Sequence, residues 1–419
     1  MRAIVQTEGE CGSLLEQFIS ARGGRVLRRY GGFKSAAVEL PAVALAALAA
    51  LPEVRYISKD RPTLRLGHVS LTTGADAVRT QPASGGGSYT LDGTGIGIAV
   101  IDSGVSHSHD SFLNQNGDSR IVADVDFTGS GSPAGDPFGH GTHVAALAAG
   151  NGSVASGVYT GIAPDASVIN LRALDEDGVG TTAGLLDALE WVLDNRATYN
   201  IRVVNLSLGT AAVDSYRYDP LCLAVRSLVD AGVVVVAAAG NDGKNADGQK
   251  VYGLIHSPGI EPSAITVGAS NTFDTNSRSD DGVTTYSSRG PTRSYWTDSS
   301  NVVHHDNLVK PDLVAPGNKL VSAESAGNAL VTAHPELEAY TDGAPDHAMM
   351  RLSGTSMATP LVSGAAALLL QANPSLTPNM VKALLTYTAQ PLAGFNQLEQ
   401  GAGQLNVEGA VRVAALTRA

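Results

Sequence analysis

The chain has 419 residues, of which 43% are hydrophobic and 16% charged, so it is long enough to bury a large core and unlike an intrinsically disordered protein. Its 28 lysine and arginine residues against 40 aspartate and glutamate residues give a formal charge of −12, which is the wrong sign for binding nucleic acid through its phosphates. The longest uninterrupted apolar runs, 42–51 and 233–239, fall far short of the roughly 20 residues that a membrane-spanning helix requires, so we expect a globular protein with no nucleic-acid partner and no membrane span.

The two cysteines and the N-terminus leave the cellular compartment open. Cys11 and Cys222 are too few for a disulfide framework or a zinc–thiolate site. The first residues lack the long apolar core of a secretion signal. Either the protein acts inside the cell, or a secretion signal lies outside this sequence.

Residues 1–66 have the pattern of a small separate domain. Hydrophobic spacing predicts, in chain order, strand 3–6, helix 11–21, strand 25–30, strand 35–40, helix 42–51 and strand 54–58. This βαββαβ order is typical of a ferredoxin-like domain. A domain of about 66 residues is only marginally stable alone, and its charge of +4, against −16 for residues 67–419, favours association of the two parts.

From residue 67 onward, apolar strands alternate with helices. The strands are predicted at 97–101, 168–172, 203–208, 233–239 and 264–268, and the helices at 140–149, 182–194, 219–230, 355–371 and 377–388. Continuous runs of valine and isoleucine indicate strands that are buried on both faces, as in parallel sheets covered by helices. We therefore predict a doubly wound α/β domain, with surface loops at 128–136, 241–248 and 275–282.

Reactive side chains lie where these strands end and helices begin, which is where ligands bind in open parallel sheets. Asp102 and Asn241 each follow a strand, and His140 and Ser356 each begin a helix. Taken alone, each has an ordinary explanation, since an aspartate after a strand commonly caps a turn and Gly-Thr-Ser commonly starts a helix. Together, in the order Asp, His, Ser, they predict a catalytic triad.

These motifs resemble those of the subtilisin-like serine proteases. The resemblance rests on Ile-Ala-Val-Ile-Asp-Ser-Gly at 98–104, Gly-His-Gly-Thr-His-Val at 139–144, Ser-Gly-Thr-Ser-Met-Ala-Thr-Pro at 353–360, and on 205–209, 237–243, 286–292 and 312–317. It implies a secreted serine endopeptidase that acts on protein or peptide substrates as a monomer and needs no cofactor for catalysis. Residues 1–66 are similar to the inhibitory propeptide of that family.

The chemistry of peptide hydrolysis gives each group a role. A serine hydroxyl is a poor nucleophile at neutral pH, so His140 should take the Ser356 proton during attack and later donate it to the leaving amine. Asp102 should hold His140 in the required tautomer and stabilise its imidazolium. The resemblance implies that the Ser356 N–H and the Asn241 side-chain amide stabilise the oxyanion, and that an acyl-enzyme forms.

The resemblance also implies where a substrate lies. Main-chain pairing with an extended peptide is expected on Ser207, Leu208 and Gly209. The pocket for the side chain before the scissile bond is expected to be lined by Ala238, Ala239 and Gly240, with His256 near its base. Small walls favour a large apolar side chain, whereas His256 could admit acidic or polar ones.

The sequence contains two patterns that resemble metal sites, and neither is complete. His140 and His143 have a metal-like spacing, but no glutamate lies between them and no third ligand follows, so His143 is interpreted as a packing residue. Segment 150–157 aligns with a calcium loop of many subtilisins but offers few oxygen ligands beyond Asn151. The sequence does not favour that calcium site, although its acidic composition is compatible with structural calcium elsewhere.

The junction between the two parts predicts self-processing. Residues 61–66 directly follow the last predicted strand of the first domain, and a proline among them favours extended backbone. We expect cleavage between Leu66 and Gly67, with Leu64 as the second candidate. The released fragment is then expected to inhibit the remainder.

Three functions are compatible with the sequence. The first is the self-processing endopeptidase. The second is a catalytically silent binding or regulatory module of the same fold, against which the presence of all four catalytic groups argues. The third is a peptide ligase or esterase that uses the same site. Labelling by a fluorophosphonate would separate the first from the second, and casein digestion would separate it from the third.

Overall fold

The computed structural model describes residues 2–9, 12–59, 69–82, 87–131 and 135–418. The chain divides into two compact units, Met1–Arg65 and Leu66–Ala419. The larger unit carries all of the predicted triad and oxyanion residues.

The smaller unit is a four-stranded antiparallel sheet with two helices. Its elements are β1 Arg2–Thr7, α1 Ser13–Ala21, β2 Arg25–Tyr30, β3 Ser35–Glu39, α2 Leu45–Ala49 and β4 Val54–Lys59. The strand order β2-β3-β1-β4 is the ferredoxin-like arrangement. Val5 of β1 and Val38 of β3 are fully buried with Leu15 and Ile19 of α1, so one face of this sheet packs against helices.

One predicted helix of this unit is shorter than expected. Residues 42–51 form a 3₁₀ turn, Ala42–Ala44, followed by the short helix α2. Neither segment has a side-chain cap or a helix-stabilising charge at its ends, so little opposes fraying. The predicted start of α1 at residue 11 lies outside the described residues, and the described helix begins at Ser13.

The larger unit contains the remaining elements. Its strands are β5 Thr80–Pro82, β6 Ser88–Thr90, β7 Gly97–Asp102, β8 Ile121–Asp126, β9 Ser167–Arg172, β10 Ile201–Leu206, β11 Val234–Ala238, β12 Ile265–Asn271, β13 Gly282–Val283, β14 Tyr295–Thr297, β15 Val303–His305, β16 Leu313–Pro316, β17 Leu320–Ala323, β18 Glu338–Tyr340 and β19 Met349–Leu352. Its helices are α3 Val69–Thr73, α4 His140–Ala149, α5 Thr182–Asn195, α6 Pro220–Asp230, α7 Ala329–Ala333, α8 Thr355–Ala372, α9 Pro378–Thr388, α10 Gln397–Gln400 and α11 Val407–Ala414.

An eight-stranded sheet forms the centre of this unit. The strand order is β13-β12-β11-β10-β7-β9-β8, with β16 also beside β12, and only β13 pairs antiparallel within the described sheet. After β7 the chain forms the edge strand β8 and then β9, which lies between β7 and β8; on the other side of β7 it builds outward through β10, β11 and β12. The predicted doubly wound α/β fold is confirmed, and β7 and β10 mark the reversal point where such sheets bind ligands.

Two helical layers cover the sheet. Helices α4 and α8 pack on one face and α5 and α6 on the other, each within its own hydrophobic cluster. Among the described residues α8 is the one helix long and apolar enough to cross a membrane by composition, but 83% of it is buried in the protein. It is therefore the core helix of this domain. The chain reaches it from β19, which belongs to a small separate sheet with β17 and β18.

Candidate active site

Asp102 and His140 meet at the reversal point of the sheet. Asp102 is the last residue of β7 and His140 is the first residue of α4. Nδ1 of His140 lies 2.7 Å from Oδ1 of Asp102, a carboxyl group that is almost wholly buried. Burial lowers the pKa of His140, but the charges of Asp102 and Asp136 raise it, and the pKa ends above its ordinary value.

Two glycines allow α4 to begin this close to β7. Gly139 precedes the helix with φ +100°, and a Cβ atom there would lie 2.7 Å from the side chain of Asn328. A Cβ atom on Gly141 would lie 2.2 Å from the backbone oxygen of Gly104. Any larger residue at either position would push His140 away from β7.

Ser356 lies in the first turn of α8, beside Asn241. The Asn241 side-chain oxygen accepts hydrogen bonds from the Thr355 N–H at 2.9 Å and the Thr355 hydroxyl at 3.1 Å. These bonds assign the amide orientation and leave the Nδ2 hydrogens available for another acceptor. The hydrogen bonds of the described residues do not include one between the Ser356 hydroxyl and His140, a contact that commonly tightens only when substrate binds.

The predicted substrate-pairing segment directly follows β10. Ser207 is buried and its hydroxyl donates a 2.8 Å hydrogen bond to the Ser356 backbone oxygen, which ties this segment to α8. Leu208 is half-buried and Gly209 is exposed. A cleft of about 430 Å³ borders the segment and reaches His140. Its walls include residues that the sequence did not single out, namely Phe138, Leu174, Gly180 and Leu185.

His256 lies between the predicted substrate-pairing segment and the segment predicted to line the specificity pocket. A Cβ atom on Gly240 would lie 2.7 Å from Cδ2 of His256, and one on Gly209 would lie 3.0 Å from its Cβ. Nε2 of His256 is 2.5 Å from Oδ2 of Asp242, whose side chain is 56% exposed. The imidazole of His256 therefore packs against both glycines, while the Asp242 carboxylate paired with it faces solvent.

Ala238 and Ala239, which were both predicted to line the specificity pocket, have different surroundings. Ala238 is the last residue of β11 and is buried. Ala239 is fully buried and packs with Cys222, Ile255 and Ile260. The side chain of Ala239 thus belongs to the core, so only its backbone is available to border a pocket.

His143 is a buried packing residue, as predicted. Its Nε2 lies 3.1 Å from the Leu320 backbone oxygen, and burial lowers its pKa to about 3, so it is neutral. In the described part of the chain no group of three or more His, Cys, Asp and Glu side chains could hold a metal ion. The Asn151 amide donates to the backbone oxygens of Asp110 and Leu113, so this side chain already has protein partners.

The segment predicted as a surface loop at 128–136 ends in a buried carboxylate. Asp136 is 2% exposed, and both of its oxygens accept hydrogen bonds. The prediction is wrong at this position because a polar loop composition cannot reveal that a carboxylate is covered by distant neighbours. The available signal is an aspartate just before a predicted helix start, where backbone N–H groups lack partners within the helix.

Comparison with protein families matches residues 93–409 to the Subtilase family. The chain is a subtilase. It is 35% identical over 327 residues to Serine protease AprX of Bacillus subtilis, covering 77% of this chain and 67% of that protein. It is 33% identical over 377 residues to an Extracellular serine proteinase of Thermus, covering 89% and 75%, and 32% identical over 395 residues to Subtilisin E of Bacillus subtilis, covering 94% and 85%.

Membership of the subtilase family fixes the enzyme class. The protein is a serine-type endopeptidase, and the predicted family and enzyme class are confirmed. Subtilases act on protein substrates and need no cofactor for catalysis.

Proposed function

We propose that this subtilase hydrolyses peptide bonds through Asp102, His140 and Ser356 and is made as a self-processing precursor. The observation that carries the proposal is the 2.7 Å contact between Asp102 and His140 at the reversal point of the sheet. The first turn of α8 supplies Ser356 close to the Asn241 amide. These four groups suffice for acyl transfer.

The proposed reaction has two halves. Ser356 Oγ attacks the scissile carbonyl carbon while Nε2 of His140 takes the hydroxyl proton, and the carbonyl π electrons move onto oxygen. The oxyanion accepts hydrogen bonds from Asn241 Nδ2 and the Ser356 N–H. As the intermediate collapses, the C–N bond breaks and His140 gives its proton to the leaving amine. Water then attacks the acyl-enzyme with His140 again as base, which restores Ser356 and releases the acid.

Asp102 supports both halves. An ionised carboxylate 2.7 Å from Nδ1 favours the tautomer that carries its proton there, so Nε2 is free to accept the serine proton. The raised pKa of His140 has the same origin, because Asp102 stabilises the imidazolium against the cost of burial.

The proposed substrate lies along Ser207, Leu208 and Gly209 as an added strand. Gly240 and His256 border the pocket for the side chain before the scissile bond, and the imidazole takes up part of the space between Gly209 and Gly240. A pocket narrowed in this way should accept small or polar side chains as well as leucine, the residue that the proposed self-cleavage places there, but not the largest apolar ones.

Self-processing is proposed at Leu66 and Gly67, with Leu64 as the second candidate. All three lie outside the described residues. The division of the chain into two compact units near this point supports a separate N-terminal domain, and we propose that this domain inhibits the enzyme after cleavage. Secretion is supported by the name of a relative, an Extracellular serine proteinase, and a monomeric state and structural calcium stay hypotheses.

Variants of the nucleophile and base test the proposal. Ser356→Ala and His140→Ala should each leave the protein folded and abolish casein digestion. Because triad members act as a unit, the double variant should be scarcely worse than either single one. Multiplicative losses would contradict the triad. Labelling of the wild type by a fluorophosphonate without casein digestion would favour the ligase or esterase, and absence of labelling would favour a silent module.

A further inference from the structure

Asp136 is a buried carboxylate that the proposed reaction leaves unused. Its Oδ1 accepts hydrogen bonds from the Ser103 hydroxyl and the Gly139 N–H, each at 2.8 Å, and its Oδ2 accepts one from the Thr142 N–H at 2.7 Å. Burial raises the pKa of Asp136, but a carboxyl group that only accepts hydrogen bonds has the pattern of the ionised form.

The donors to Asp136 come from two segments that carry triad residues. Ser103 directly follows Asp102, donates its N–H to Oδ1 of Asp102 at 2.8 Å, and accepts the Gly141 N–H on its hydroxyl at 2.9 Å. The other donors lie on either side of His140, at the start of α4. Asp136 therefore joins the turn after β7 to the first turn of α4.

These two segments are packed backbone against backbone. A Cβ atom on Gly104 would lie 2.2 Å from the backbone oxygen of Gly135, and Val105 forms an isolated β-bridge with Gly135. Such contacts leave little free space, so a shift of the Asp136 carboxylate would displace both segments together with the side chains they carry.

Asp136 also acts on His140 through its charge. The titratable groups that influence His140 are Asp102, Asp136 and His143. Burial keeps His143 neutral, whereas the two carboxylates raise the pKa of His140 against the effect of its own burial. His140 becomes an imidazolium when it takes the serine proton, so a second fixed negative charge stabilises that state.

We propose that Asp136 is a positioning residue for peptide hydrolysis. Its carboxylate fixes the start of α4 against the Asp102 turn, and its charge stabilises the protonated form of His140. The inference rests on the proposed function, in which His140 is the general base.

The first test compares Asp136→Asn with Asp219→Asn. Asp219 is a matched control, since it is also a buried carboxylate that accepts hydrogen bonds from backbone N–H groups at the start of a helix. That helix is α6, on the opposite face of the sheet from α4. Asp136→Asn should lower kcat roughly ten- to hundredfold with little change in KM. The acidic limb of its kcat/KM profile should move to lower pH, because the pKa of His140 falls when the charge is lost. Asp219→Asn should leave the profile in place.

The second test does not depend on turnover or on self-processing. In the full chain carrying Ser356→Ala, the pKa of His140 is measured by NMR titration with and without Asp136→Asn. The pKa should be lower with the second substitution. If instead Ser356→Ala digests casein, the proposed function fails, and this titration still reports on Asp136.

A third variant keeps the inference testable if Asp136→Asn does not fold. Ser103→Ala removes a hydrogen bond to Asp136 and the acceptor of the Gly141 N–H, but no charge. It should lower kcat about tenfold without moving the acidic limb. The proposal would be overturned if Ser103→Ala had the kcat of the wild type. It would also be overturned if Asp136→Asn left both the acidic limb of the kcat/KM profile and the pKa of His140 unchanged.

Discussion

The Asn241 side-chain oxygen accepts hydrogen bonds from Thr355, whereas its Nδ2 group has no hydrogen-bond acceptor among the described residues. Its oxygen is held by Thr355, so the Nδ2 hydrogens are aimed without further ordering. Asn241→Ala should lower kcat far more than it raises KM, because this donor meets charge that exists only in the transition state. The expected loss is roughly 10²–10³-fold, which is the size of the effect when subtilisin loses the corresponding donor. Steady-state kinetics on a chromogenic peptide measure both constants.

A control is needed because Asn241→Ala also removes an acceptor from Thr355. The same substitution in the Ser356→Ala background should change the free energy of unfolding by only about 1 kcal/mol. A defect of Asn241→Ala confined to KM would contradict an oxyanion role.

His256 should decide which side chain precedes the scissile bond. His256→Gly removes the ring that packs against Gly209 and Gly240, so the cleavage rate after large apolar residues should rise relative to that after alanine. The gain should be about tenfold, the size expected when a pocket accommodates one or two more buried methylenes. A set of peptides that differ only at this position measures the change.

Asp242→Asn is the matched comparison for His256→Gly. It keeps the volume of the side chain and removes the charge that faces Nε2 of His256. If space alone limits the pocket, Asp242→Asn should leave the preference for large side chains unchanged. An equal gain in both variants would show that charge, and not volume, sets the preference.

At the scale of elements, a buried ammonium joins β12, β16 and α9. Nζ of Lys310 donates to the Ala264 backbone oxygen at 3.1 Å and to the Thr266 hydroxyl and Asp312 carboxylate at 2.8 Å each. Lys382 of α9 lies 2.9 Å from the same carboxylate. Burial lowers the pKa of Lys310 to about 8, although Asp312 acts in the opposite direction.

The lowered pKa of Lys310 predicts how stability varies with pH. An unfolded lysine keeps its proton up to about pH 10.4, so between about pH 8 and pH 10 the unfolded state binds more protons and the free energy of unfolding should rise. Relative to Lys310→Met, the Lys310 protein should gain about 1–3 kcal/mol over this window. Urea unfolding of the two proteins, both carrying Ser356→Ala, measures this difference. The prediction would be contradicted if their free energies of unfolding varied with pH in the same way.

The sequence predicted elements that carry a clear hydrophobic pattern and missed several short or half-buried strands. Helix α4 has its predicted bounds, β7 is one residue longer than predicted at its end, and β11 is one residue shorter than predicted at each end. Strand β8 was missed because most of it is only half-buried, and β16 because it is four residues long and ends in proline. Short or half-covered strands lack the continuous apolar run on which prediction depends.

In the active site too, local sequence patterns identified some residues, while contacts between distant parts of the chain could not be predicted. Asp102, His140 and Ser356 could be found because each stands next to a strand end or helix start that is visible in the sequence. Asp136 was missed although it stands just before a predicted helix start, because no local pattern reveals its hydrogen bond with Ser103, which is 33 residues away in the chain. The space left beside His256 likewise depends on two distant glycines, which no local pattern reports.

At the scale of the whole molecule, the charges of +4 on residues 1–66 and −16 on the rest are expected to matter after cleavage. The full chain should cut itself after Leu66, so that the mature enzyme begins at Gly67, and Ser356→Ala should remain one polypeptide. N-terminal sequencing decides between Leu66 and Leu64. A fully active enzyme that begins at Met1 would contradict the precursor hypothesis.

Inhibition by the released fragment should depend on ionic strength. Steering between exposed charges is screened beyond about 10 Å at 0.1 M salt, so the association rate should fall with added salt while the dissociation rate changes less. Stopped-flow inhibition of the mature enzyme measures both rates. Equal association rates at low and high salt would show that charge does not guide docking.

Helix α8 links activity to the integrity of the entire larger unit. Ser356 lies in its first turn, and most of the helix after it is buried within the core. A local opening that frees this helix would have to expose that core, so partial openings elsewhere leave the nucleophile in place. An active molecule therefore keeps this core intact, and every molecule that unfolds becomes a substrate for its neighbours. The lifetime of the enzyme in a stored solution therefore depends on its concentration and becomes shorter as that concentration rises.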